Sequence, residues 1–188
     1  MIPEKELQEL KNKLTTLEKK DIDLIISDFD DTIFSTNEVI ERNLTNWLRW
    51  NEWNQYIKEV IWIKEFIDTI YIWKDFPKHI STKLRENHDL ILTAWYEEIQ
   101  SEKIKACKLN HINYKVVFNS EDKIIETIKY IINNLWFIPN KITVYEDRPK
   151  YFIEYKNLLE DFFNIEVEIM YVEFKNNLNE PKITKLIN

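Results

Sequence analysis

Leu24-Ile25-Ile26-Ser27-Asp28-Phe29-Asp30-Asp31-Thr32-Ile33-Phe34 is an apolar run of strand length that ends in three carboxylates within four residues, then a threonine. Side chains alternate along a strand, so Asp28 and Asp30 fall on one side of its end, where like charges repel. A fold tolerates such repulsion mainly where a cation or a proton offsets it. A hard divalent ion such as magnesium, which takes oxygen ligands, is the natural offset. The plainer alternative is a strand followed by an Asp-rich turn or helix cap.

Outward from this run, four more short β-rich segments appear at Leu90–Thr93, Lys115–Phe118, Ile142–Tyr145 and Ile165–Val172. Helical patterns separate the later ones, at about 96–109, 121–135 and 149–162. Strands alternating with helices predict an α/β fold: a five-stranded, mainly parallel sheet with helices on both faces. The stretch 33–89 is too long for a plain crossover and carries Trp, Ile and Phe at helical intervals, so a small helical insertion is expected after the first strand. Leu7, Leu10, Leu14 and Leu17 predict a leading helix within residues 1–20. The main unit then runs over 21–174, and 175–188 reads as a polar tail.

In open parallel sheets, ligands sit beyond the carboxyl ends of the strands. The first strand ends in Asp28 and Asp30, the second in Thr93 and the fourth in Glu146-Asp147, while Lys123 opens the helix after the third. Each has a plain structural alternative: Thr93 as a helix cap, Lys123 as a surface lysine, Glu146-Asp147 as a turn. Their joint occurrence in this order is the specific signal.

The 188 residues are 44% apolar and 31% charged, which suits one globular domain with a real core. No apolar run is long enough to span a bilayer, and the N-terminus lacks a signal-peptide core. The single Cys107 allows no intrachain disulfide, so a cytoplasmic protein is expected. One cysteine and three scattered histidines argue against zinc. A net charge of −7 gives no general attraction to nucleic acid.

The chain contains no glycine, where average usage predicts about thirteen. Tryptophan is abundant instead, with seven. Two of these stand where glycine is expected. Trp136 follows the helical segment Lys123–Leu135 and precedes Phe137-Ile138-Pro139-Asn140, a helix stop of the Gly-then-Pro kind, and Trp95 follows Leu92-Thr93-Ala94 at a strand-to-helix turn. Together with the Ile-, Asn- and Lys-heavy composition, this suggests a gene in which UGA encodes glycine but has been read as tryptophan.

With these residues in place, the chain resembles the haloacid dehalogenase-type phosphohydrolases over roughly residues 21–174. The matching pieces are Asp28-Phe29-Asp30-Asp31-Thr32, Ile91-Leu92-Thr93-Ala94, Lys123 and Val144-Tyr145-Glu146-Asp147, and the insertion sits where that family places its cap. Tyr145-Glu146-Asp147-Arg148-Pro149-Lys150-Tyr151-Phe152 further resembles the fourth motif of haloacid dehalogenase-like domains grouped with Swiss Army Knife RNA-repair proteins, and Gln100 and Lys103 after Thr93-Ala94 resemble small cytoplasmic members. The family's usual glycine after Thr93-Ala94 is Trp95 here.

The resemblance implies a Rossmann-like fold and a Mg²⁺-dependent phosphatase. Asp28 is then the nucleophile that forms an aspartyl-phosphate, and Asp30 is the general acid and base. Thr93 and Lys123 bind the phosphoryl group. Asp28, the Asp30 carbonyl, Asp147 and Glu146 hold the metal. Asp31 and Thr32 orient the loop, and Arg148 is a candidate substrate contact. The implied partner is a phosphorylated small molecule or a nucleic-acid end, with no membrane. Alternatives are an end-processing phosphatase in RNA repair and a catalytically silent binding domain. A phosphorelay receiver also combines acids, Thr and Lys, but its acceptor Asp follows the third strand, where this chain has Asn119-Ser120.

Overall fold

A computed structural model describes residues 4–35, 67, 80–174 and 181–186. Most of the expected insertion, 33–89, lies outside the described residues. The leading helix α1 spans Glu4–Leu14, followed by a two-residue strand β1, Glu18–Lys19. Then come β2 Leu24–Ser27, β3 Leu90–Ala94, α2 Glu97–Ala106, β4 Asn113–Val117 and α3 Asp122–Tyr130. A wide π-helical turn, Ile131–Leu135, extends α3 and leads to β5, Phe137–Ile138, which pairs in parallel with β1. The chain ends with β6 Lys141–Glu146, α4 Lys150–Glu154, α5 Lys156–Phe163, β7 Glu166–Glu173 and β8 Lys182–Leu186.

The main sheet has six strands in the order β4-β3-β2-β6-β7-β8. Every neighbouring pair is parallel except β7-β8, which is antiparallel. The sixth strand comes from the segment expected to be a polar tail. Its Ile183 and Leu186 are half-buried against the core, and Lys185 pairs with Glu168 of β7. Edge pairing needs one partly covered face, so a polar sequence such as Lys182-Ile183-Thr184-Lys185-Leu186 satisfies it.

Both faces of the sheet are covered, which explains why β2 reads as a continuous apolar run. Leu24 and Ile26 of β2, Leu90 and Leu92 of β3, and Ile142 and Val144 of β6 pack with α1, α3 and α5 on one side. Ile91 and Tyr145 pack on the other side with Ile99 and Ile104 of α2 and with Phe29, Ile33 and Phe34. A buried Asp89 pins the start of the central strands: it accepts from the Ile25 amide at 2.8 Å and from the Arg85 amide and guanidinium at 2.7–3.0 Å. Among the described residues no helix is long and apolar enough to cross a membrane.

Chain order runs β2, β3, β4 across one half of the sheet, then returns to β6 on the other side of β2. The carboxyl ends of β2 and β6 therefore flank the point where the winding reverses, the place where such sheets form a crevice.

Candidate active site

Asp28 leaves the end of β2 with its amide bonded to the Tyr145 carbonyl of β6 at 2.9 Å, so the two strand ends are locked side by side. The chain then folds into a tight loop. Phe29 is fully buried and stacks on Phe34, and its carbonyl accepts from the amides of Ile33 and Phe34 at 2.9 and 3.0 Å. Burying such a ring contributes about 1.5–3 kcal/mol, enough to anchor a loop of this size. Asp31 takes a left-handed conformation, φ 55°, which Asp tolerates better than most residues.

β6 delivers Glu146 and Asp147 beside Asp28. Carboxylate oxygens of the three lie within 4.8 Å of one another, a group that could hold a metal ion. Lys123, on the first turn of α3, reaches into the cluster at 3.1 Å from Asp28 Oδ1 and 2.7 Å from Glu146 Oε2. It is only 3% exposed. Burial works to remove its proton, but Asp28 and Glu146 outweigh that and keep the ammonium charged, above its ordinary value. Burial and the Asp28 charge push Glu146 well above the usual carboxylate range, against the pull of Lys123. The same causes raise Asp147 to about 6, with Arg148 opposing.

Among the described residues, three carboxyl groups share one buried ammonium, so bringing all three into the charged form calls for further positive charge. The donor set is all oxygen, which suits a hard divalent cation and not a soft metal. Arg148 touches Asp147 at 3.3 Å, but its side chain is 81% exposed, so water screens the contact. From there the guanidinium can meet a ligand at the rim.

Asp30 points elsewhere. Its carboxylate meets Lys103 at 2.8 and 3.0 Å and the Gln100 amide at 2.8 Å, both on α2. The same amide nitrogen reaches Thr93 Oγ1 at 3.2 Å and the Ala94 carbonyl at 3.3 Å, so Thr93 joins the site through Gln100. Cys107 is buried behind this corner, and burial pushes its thiol up to about 12, so it is no competing nucleophile.

The structure thus gathers Asp28, Lys123, Glu146 and Asp147 into one cluster, with Arg148 at its edge. It places Asp30 and Thr93 in a second, adjoining network. In the sequence, Gln100 and Lys103 stand out only by their resemblance to small cytoplasmic members of the family. Their three-residue spacing on a helix face, between the buried Ile99 and Ile104, is the signal that marks them.

Both tryptophans among the described residues have positive φ. Trp95 sits at φ 153° between β3 and α2, and Trp136 at φ 59°, ψ 22° closes the turn after α3. Trp95 packs against Tyr96 and lies under the Lys103 ammonium, 4.7 Å from its ring centre.

No protein-family model and no curated protein matches the chain. Among solved structures, a "putative haloacid dehalogenase-like hydrolase" of Burkholderia xenovorans LB400 is similar, at 10% identity and a TM-score of 0.45, over 81% of this chain and 82% of that one. A likeness this loose leaves the chemistry to be judged from the residues of the site.

Proposed function

We propose that the chain is a divalent-cation-dependent phosphohydrolase that works through a covalent phosphoryl group on Asp28. The observation that carries this reading is the meeting of Asp28 with a buried lysine and two further carboxylates at the reversal point of a parallel sheet. An ion pair serving stability alone has little reason to set two acids on one buried lysine and a third acid beside them.

Asp28, Glu146 and Asp147, with the Asp30 carbonyl, would hold Mg²⁺. When bound, the ion supplies the positive charge that lets an anionic carboxylate approach an anionic phosphate. Asp28 attacks phosphorus through a carboxylate oxygen, and the bond from phosphorus to the leaving oxygen breaks. Asp30 gives its proton to that oxygen. In the second half, Asp30 takes a proton from water as the water oxygen attacks phosphorus, and the Asp28–phosphorus bond breaks to free phosphate. Lys123 orients Asp28 through their contact, and with Thr93 it offers hydrogen bonds to the equatorial oxygens, the usual electrostatic work of phosphoryl transfer.

The substrate class is a phosphomonoester. The test is hydrolysis of para-nitrophenyl phosphate with and without Mg²⁺, followed by a panel of sugar phosphates, nucleoside phosphates and a 3′-phosphorylated oligonucleotide. Mg²⁺-dependent turnover with an acid-stable, hydroxylamine-labile phosphoenzyme is expected. Turnover that survives Asp28→Asn removes Asp28 from this role. Preference for the oligonucleotide would assign the site to nucleic-acid ends.

A further inference from the structure

We propose that Gln100 and Lys103 are positioning residues that aim the Asp30 carboxylate at the leaving oxygen, which makes α2 part of the catalytic apparatus. This role rests on the phosphohydrolase reading above. Lys103 is 3% exposed and Gln100 is 1% exposed, and polar groups of this kind are rarely so deep unless a specific partner holds them. Here both converge on one carboxylate. The Lys103 ammonium spans its two oxygens, and the Gln100 amide ties Oδ2 to Thr93 and Ala94 at the end of β3. Asp30 is thereby held at both oxygens and tied to the strand end that carries Thr93.

The chemistry gains from this arrangement in the first half-reaction. As Asp30 loses its proton to the leaving oxygen, it becomes an anion in the place where an ammonium and an amide N–H already point. Charge-assisted hydrogen bonds that strengthen as charge develops accelerate the step and need no reorganisation. Lys123 instead faces Asp28 and Glu146.

Leaving-group dependence reads this role directly. An aryl phosphate with a good leaving group needs little protonation, whereas an alkyl phosphate needs it fully. Turnover of para-nitrophenyl phosphate and of ethyl phosphate is compared in the parent chain, in Lys103→Met and in Gln100→Leu. Each variant should lose at least about tenfold more kcat on ethyl phosphate than on the aryl ester, with KM little changed. Two variants are used so that a folding defect in one leaves the other decisive. Equal losses on the two esters would overturn the positioning role and leave the phosphohydrolase reading standing. A parent chain inactive on both esters, with tryptophan and equally with glycine at 95 and 136, would overturn that reading instead.

A separate observation carries a second inference: residues 95 and 136 are glycines in the protein as its own cell makes it. A bulky side chain at positive φ is a steric outlier, and both described tryptophans are in that state in a chain with no glycine. Trp136 is 72% exposed, so no packing of its indole offsets the left-handed backbone. UGA codons at both positions in the gene, and glycine in the peptide masses of the protein purified from its source, are expected. UGG at either position, or tryptophan in those peptides, would overturn the inference for that residue.

Discussion

Asp28 and Asp30 leave the same strand end two residues apart, yet they enter opposite electrostatic surroundings. Asp28 joins Glu146 and Asp147 around a single buried ammonium, so its corner is short of positive charge. Asp30 meets one ammonium and one amide, so its corner is balanced. An unbalanced cluster is a place for a cation and an anionic substrate to be drawn together. A balanced one is a place for a carboxylate to be held still. The difference follows from which helix is nearer: α3 brings Lys123 to Asp28 and Glu146, and α2 brings Lys103 to Asp30.

The contrast breaks most sharply at Asp28. Asp28→Asn should lower phosphomonoester turnover by on the order of a thousandfold or more, since a carboxamide cannot form the phosphoryl ester. Next comes the ammonium that its corner shares. Lys123→Met leaves buried carboxylates facing one another and should cost about 3–5 kcal/mol, measured by urea unfolding. Millimolar Mg²⁺ should restore part of that loss.

In the balanced corner, Lys103→Met should change the ratio of alkyl to aryl turnover by about tenfold. Its unfolding midpoint should respond less to Mg²⁺ than that of Lys123→Met.

The pH dependence sharpens the same comparison. The Asp147 carboxyl is raised from 3.8 to about 6 in the folded chain, so the folded state holds its proton more tightly than the unfolded state. Its contribution to stability is therefore favourable at low pH and is lost as pH rises through about 6. Without divalent cation, thermal melts should show this loss between about pH 4 and 6, levelling off above that, and Asp147→Asn should flatten it. A cation bound to the carboxylate reverses the sign, so stabilisation by Mg²⁺ should grow over the same interval.

The smallest effect expected lies outside both corners. Trp136→Gly should stabilise the chain by about 1–2 kcal/mol, by removing the Cβ from a left-handed position. Urea unfolding measures it.

Much of the frame was legible locally. Leu24–Ser27 and Leu90–Ala94 are short apolar runs, and the buried Ile124, Ile128 and Ile131 recur at helical spacing. Such patterns depend on neighbours a few residues away and are read without the fold. The edge strand Lys182–Leu186 escaped because it is mostly polar and half-covered, and only pairing with β7 reveals it. The partners of Asp30 escaped for a related reason. Gln100 and Lys103 lie 70 and 73 residues away, and nothing local says which acid a helix face will meet.

The sequence by itself determined the alternation of strands and helices and the acids at the ends of β2 and β6. These follow from side-chain periodicity and from where polar residues interrupt it. The tertiary structure decided how those acids divide. It placed Lys123 against Asp28 and Glu146, and Lys103 against Asp30, because that choice depends on which helix packs over which strand end. Charges interact through space, so the same Asp28-Phe29-Asp30 contains both an uncompensated cluster and a clamped carboxylate only once the sheet is wound.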